Sequence, residues 1–254
     1  MPRVPRRHPG LSLVELLVSL SLIAVLMSLL VPMLAQARHS AMRTTCMAQQ
    51  RQLGIAIHNH AHDHRGTIPF GPTAPPVTIT NLYLYTGHVT NLVSLHTGQP
   101  VGLGLLLEPY LAQHSHALFC PANDQPIMTE QEIEAIGRRQ VQGSYFYRHG
   151  SVVEFSYPPD TGHIRLADLG MNRQGRPIRA LVMDGNLLAP PQFNPFGIFT
   201  RTNHRRRDVN VLYADGRVRT LSNAGDRFTI DLAVDPHRAP HRMLEALEFA
   251  DSHD

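Results

Sequence analysis

Lysine is absent from the 254 residues, and all 23 basic side chains are arginine. That removes a Schiff-base lysine and the lysine of a phosphate-binding P-loop. No G-x-S-x-G, H-E-x-x-H or G-x-G-x-x-G pattern occurs, and Ser151 and Ser222 lie outside any nucleophile-elbow context. His204 with Asp184 or Asp215 can be drawn as two members of a triad, but no nucleophile completes it, so the chain reads as non-enzymatic. Excess charge is small. The net charge is +3, and Arg3, Arg6 and Arg7 account for all of it, leaving 20 arginines against 20 acidic residues from Leu11 onward. Arg205, Arg206 and Arg207 are adjacent, without aromatic interleaving, which suits a solvated loop better than a nucleic-acid site. Aromatics are few at 6%, yet 43% hydrophobic residues suffice for one ordinary core. No internal repeat at solenoid spacing is present.

One stretch is conspicuous by its presence. Leu11 to Leu34 is almost wholly apolar, with Glu15 as its only ionisable side chain. About 20 apolar residues span a bilayer core as a helix, and a carboxylate inside such a run needs a partner. Three readings compete. The run can be an uncut signal anchor. It can be a secretory signal cut at Ala35-Gln36-Ala37, although a signal core is about half as long. Or the cut can fall before the run, at Gly10-Leu11.

The third reading carries a family resemblance. A basic leader, Gly10, Leu11 and then Ser12-Leu13-Val14-Glu15-Leu16-Leu17 resemble the class III signal of type IV pilins and type II secretion pseudopilins. The resemblance implies that prepilin peptidase cuts after Gly10 and methylates the new terminus at Leu11, where phenylalanine is commoner. Glu15 then becomes the fifth mature residue, the family's acidic position, and Pro32 the twenty-second, where many pilins carry a proline. A neighbour's N-terminal ammonium would neutralise Glu15. The basic leader stays cytoplasmic by the positive-inside tendency, and the rest is exported.

From Ala35 the apolar positions, among them Met42, Leu53, Ala56 and Ile57, recur with polar residues between them. They predict an amphipathic extension ending near His64-Arg65-Gly66, where glycine supplies a left-handed cap. A helix from Leu11 to His64 is about 80 Å long, and Pro32 is expected to bend or loosen it. His58, His60, His62 and His64 alternate at its end. Their i, i+4 pairs suit a transition metal, or simply a solvated helix terminus.

Residues 67–100, rich in Pro, Thr and Gly, read as an irregular excursion with a short strand in 77–85. Val101–Leu111 reads as a short buried helix or turn, and Thr129–Arg139 as a helix with Thr129 and Glu132 forming a capping box. Gly143–Arg148, Ser151–Tyr157 and Ile178–Met183 are strand patterns, the last ending in an Asp184-Gly185-Asn186 turn. Leu187–Thr202 reads as a loop. Val209, Val211 and Tyr213 alternate with Asn210 and Leu212, and Asp215-Gly216 supplies a two-residue hairpin turn.

A second resemblance covers the amphipathic segment and this hairpin. Cys46, Gln49, Arg51, Gln52, Leu53, Gly54, Ala56, Gly66 and Pro69 are similar to the DUF1559, or H-X9-DG, group of bacterial pseudopilin-like proteins. Phe119-Cys120-Pro121 resembles its Cys-Pro element. His204, Asp215 and Gly216 resemble its signature, with ten residues between His204 and Asp215 where the group has nine. Arg205–Arg207 is the expected site of the extra residue. Export to an oxidising compartment would allow a Cys46–Cys120 disulfide, with two unpaired buried thiols as the alternative. Secretion-type pseudopilins carry Ca²⁺ near the C-terminal sheet, so Asp184, Asp208, Asp215 and Asp226 are weak cation candidates, again alternatives to solvated turn aspartates.

The expected architecture is α+β, a long N-terminal helix packed on a C-terminal antiparallel sheet. Its expected parts are a leader (1–10), a membrane and assembly helix (11–34), an extracytoplasmic half-helix (35–66), a β-rich domain (67–234) and a polar, His-rich tail (235–254) with a helical pattern in Met243–Ala250. The expected role is a structural subunit of a type II pseudopilus or type IV pilus-like filament in a bacterial inner membrane. Its partners would be prepilin peptidase and other pilin-like subunits. The alternative is a monomeric, membrane-anchored periplasmic binding module.

Overall fold

The computed structural model describes residues 13–69, 89–148, 164–234 and 236–253. Gly10, Leu11 and the strands expected in 77–85 and 151–157 lie outside the described residues. The chain divides into two units, Met1–Ala41 and Met42–Asp254, and helix α1 (Leu13–Asp63) supplies residues to both.

Within the first unit α1 continues through Pro32 as helix. Every residue of 13–38 is exposed, including the apolar ones from Leu13 to Leu34. Its serines turn inward on the helix itself. Ser19, Ser21 and Ser28 donate to the carbonyls of Leu16, Val18 and Val25 at 2.7–2.9 Å, which removes their demand for water. This is the only described helix long and apolar enough to cross a membrane.

The second unit is built on a five-stranded antiparallel sheet of order β1-β2-β3-β5-β6. The strands are β1 (Val89–Ser94), β2 (Val141–Arg148), β3 (Ala180–Asp184), β5 (Asp208–Tyr213) and β6 (Val218–Ser222). Tyr145 pairs with Asp184, Tyr147 with Val182, Val182 with Leu212 and Asn210 with Thr220. Side chains alternate across a strand, so Tyr145, Tyr147, Val182, Asp184, Asn210, Leu212 and Thr220 share one face. The α1 residues Cys46, Gln50, Leu53 and Ile57 are buried at the helical spacing and cover this face. The opposite face receives α3 (Ala239–Asp251), which buries Met243, Leu244, Leu247 and Ala250. Arg148 on that face reaches Asp251 at 3.0 Å, and the Tyr213 hydroxyl donates to the Ala250 carbonyl. With helices on both sides, β1, β2 and β3 are buried at every residue. The long N-terminal helix and antiparallel sheet are the α+β, pilin-like arrangement expected.

Several local readings need correction. The 67–100 excursion contains the buried strand β1. Helix α2 (Pro126–Ala135) begins three residues before Thr129, with Gln125 as its N-cap residue. Thr129 donates back to Gln125, and Glu132 is buried against Arg139 at 2.7 Å. Asp184 is the last residue of β3 rather than a turn residue. After Gly185 the chain enters β4 (Asn186–Leu188), which pairs in parallel with β7 (Thr229–Asp231). In the β5–β6 hairpin, three residues lie between Tyr213 and Arg217, which are themselves hydrogen-bonded. Gly216 N–H donates to Tyr213, Tyr213 N–H to Arg217, and Gly216 takes φ +85°, the glycine-bulged form that a three-residue hairpin adopts. At the end of α1 it is Arg65 that first turns left-handed, with φ 57°, before Gly66 at φ 87°. The tail holds α3, which contains the helix expected in Met243–Ala250, but it is an integral part of the core rather than a polar appendage.

Candidate functional site

Four side chains singled out on separate grounds converge under α1. Cys46 comes from the helix, Cys120 from the loop after a 3-10 turn (Ser115–Leu118), Asp184 from the end of β3, and His204 from the entry to β5. All four are buried, and one donor atom of each lies within 4.8 Å of the others. His204 Nε2 stands 3.1 Å from Asp184 Oδ2 and 3.3 Å from Cys120 Sγ. Cys46 Sγ donates to Asp184 Oδ1 at 3.2 Å. Both thiols are free, so the disulfide is not formed in this structure.

The surroundings hold these groups in place. Asp184 accepts the Asn210 backbone N–H at 2.7 Å on Oδ2 and the Gln50 amide at 3.0 Å on Oδ1. The Tyr145 hydroxyl lies 3.6 Å from Cys46. Asn203 ties the entry to β5 down by donating to the carbonyls of Ser144 and Gly185 at 3.0 and 2.8 Å. The next three residues, His204, Arg205 and Arg206, all take positive φ, from 52° to 57°. Each such residue costs about 1–2 kcal/mol when it carries a Cβ. Through that left-handed turn His204 remains at 1% exposure in the cluster.

Burial pushes the Cys46 thiol well above its ordinary pKa and also raises that of Cys120, on which the Ala122 backbone N–H acts in the opposite direction. Burial likewise opposes charge on His204. The hydrogen bond that His204 Nε2 donates to Asp184 and the influence of Cys46 outweigh it and raise the imidazole to about 10. Both thiols are thus held toward their neutral forms beside the His204–Asp184 pair. The cluster has no face open to a substrate.

The other candidates lie elsewhere. Asp215 is exposed and pairs with Arg217 at 3.1 Å, Asp208 with Arg43 at 3.5 Å, and Asp226 with Arg206 at 3.8 Å. Asp184 is thus not joined by the other aspartates, and its neighbours are sulfur and nitrogen, a poor match for Ca²⁺. His204 and Asp215 stand before and after β5, so the His-to-Asp-Gly spacing measures one strand and its two turns. His60 and His64 stack at 4.0 Å. The Nδ1 atoms of His58 and His64 engage helix carbonyls at 2.8 and 2.9 Å. Among the described residues they form no metal-type grouping. Gln50, Tyr145 and Asn210 had not been singled out. Gln50 was the findable one, a lone amide on the Cys46-Leu53-Ile57 stripe.

Comparison with known proteins adds one match. A family model described as the prokaryotic N-terminal methylation motif matches residues 5–31. That motif is typical of type IV pilins and pseudopilins, which are usually structural rather than enzymatic, and it implies a pilin-like protein processed by prepilin peptidase. With the apolar helix it indicates a membrane-anchored, extracytoplasmic protein. No curated protein and no solved structure matches the chain.

Proposed function

We propose that this protein is a structural subunit of a pilus-like filament, either a type II secretion pseudopilus or a type IV pilus. Prepilin peptidase cuts it between Gly10 and Leu11, the segment 11–34 anchors it, and residues from Met42 onward form the extracytoplasmic domain. The methylation-motif match over residues 5–31 carries this reading. A second observation supports it. The apolar residues of 13–34 are exposed all round the helix, a surface suited to lipid before assembly and to like helices after it. Glu15 sets the register in this scheme, because cleavage creates an ammonium at Leu11 that a neighbouring subunit can present to it. The buried sheet cluster serves the fold, not a reaction.

The test is the N-terminus of protein from the native membrane fraction, by intact mass and terminal peptide sequencing. The expected start is Leu11, with or without a methyl group. A start at Met1 would make the segment an ordinary signal anchor. A start near Arg38 would mean a released domain. Either result would overturn the proposal.

A further inference from the structure

We propose that Cys46, Cys120, Asp184 and His204 are a four-ligand site for a divalent transition metal, zinc above all, that fastens α1 to the sheet. The donor set comes first. Two thiolates, an imidazole and a carboxylate are the ligand types zinc takes, while hard cations want oxygen.

Geometry comes second. Zinc–ligand bonds of about 2.0–2.3 Å place tetrahedral ligand atoms about 3.3–3.8 Å apart. Three of the six edges are already near that, at 3.1 Å for His204–Asp184, 3.2 Å for Cys46–Asp184 and 3.3 Å for Cys120–His204, and all lie within 4.8 Å. A small outward movement of each side chain admits the ion. As it enters, the two thiol protons and the proton on His204 Nε2, which faces Asp184, leave for solvent.

The supporting shell comes third. Ligating groups in metal sites are held by outer hydrogen bonds. Here Gln50 and the Asn210 N–H hold Asp184. The left-handed backbone at His204 has a cost that is intelligible if that imidazole must reach this point. All four donors are protein groups and all are buried, so no coordination position is left open. That is the arrangement of a structural site, not a catalytic one. The ligands come from four separated segments, so the ion closes long loops between the helix and β3, β5 and the 115–120 turn.

The inference is independent of filament assembly. It is tested on the full chain, purified in detergent without chelator. Elemental analysis should find about one zinc per chain. Cobalt added to the reduced, metal-stripped protein should give a thiolate-to-cobalt charge-transfer band that zinc then abolishes. His204→Gln and Cys120→Ser should lower bound metal at least tenfold, while Tyr145→Phe, beside the cluster, should keep it. The cobalt titration of unaltered protein decides the matter even where a variant fails to fold. Absence of both zinc and the cobalt band would overturn the proposal. So would an intact mass from the native membrane lower by two hydrogens, marking a Cys46–Cys120 disulfide.

Discussion

His204 and Asp184 form an ion pair of 3.1 Å with both side chains fully shielded from solvent. Removing one member of such a pair leaves the other buried without compensation, which costs about 3–5 kcal/mol. Asp184→Asn is therefore expected to destabilise the sheet domain by that amount in urea unfolding followed by far-UV circular dichroism. A loss below about 1 kcal/mol would show that His204 is neutral or that the cluster rearranges freely.

Arg148 and Asp251 make the same kind of pair on the opposite face of the sheet, at 3.0 Å and 2% or less exposure. Asp251 also accepts the backbone N–H groups of Arg179 and Ala180 and the Asn172 amide, so it fixes α3 to the start of β3. Arg148→Met and Asp251→Asn should each cost about 3 kcal/mol. The double variant should cost little more than either, because the first substitution has already broken the pair. Fully additive losses in the thermal or urea cycle would contradict this coupling.

Glu248 on α3 holds Arg173 at 2.7 Å. Burial raises the carboxyl's pKa, but hydrogen bonds from the Arg173 side chain and backbone outweigh it, with Arg148 adding to them, so the folded value lies below the usual carboxylate range. The stabilisation is accordingly present above the unfolded carboxylate pKa and lost as pH falls through the folded one. Arg173→Met should cost about 1–3 kcal/mol at neutral pH and less at pH 3. Equal losses at both values, from urea midpoints, would mean that the pair contributes packing alone.

The β5–β6 hairpin and the buried stripe of α1 were legible because each writes a period into the sequence, two for the strand and 3.6 for the helix. Strand β1, Val-Thr-Asn-Leu-Val-Ser, was not. It is buried on both faces, so Thr90 and Asn91 point inward like Leu92, and no alternation remains. The burial of the tail helix was hidden for a related reason. Glu248 and Asp251 look like surface charges until their arginine partners, far off in sequence, are known. Each member of the metal-type cluster was conspicuous alone, as a cysteine, an aspartate before glycine or a signature histidine. Their convergence was hidden by contacts between residues 138 positions apart for Cys46–Asp184 and 84 for Cys120–His204. Tertiary folding alone makes that set.

Gly54 lies inside α1, where glycine is worth about 1 kcal/mol less than alanine. Packing gives the reason. A Cβ there would stand 3.0 Å from Leu212 Cδ1 and 3.8 Å from the Gly216 Cα, so the helix rides close over the hairpin. Gly54→Ala should be nearly neutral, propensity offsetting a small shift of the Leu212 side-chain end. Gly54→Leu should cost about 1–3 kcal/mol by overpacking. Equal thermal midpoints for the unaltered and leucine proteins would show that α1 is held less tightly than the sheet contact implies.

Glu15 separates the filament from a solitary anchor. A charged side chain within a membrane span is unfavourable by a few kcal/mol, so Glu15→Val should insert into the membrane at least as well as the unaltered chain. In a filament the same change removes the partner of a neighbour's N-terminal ammonium and with it the stagger between helices. Cross-linking of native membranes should then lose its ladder of multimers, while the protein still resists alkaline extraction. Glu15→Asp, which keeps the charge, should retain most of the ladder. A ladder unchanged by Glu15→Val would overturn the assembly role of this carboxylate and favour a monomeric, membrane-anchored binding module. Loss of the protein from the membrane in the valine variant would contradict both, since neither requires the charge for insertion.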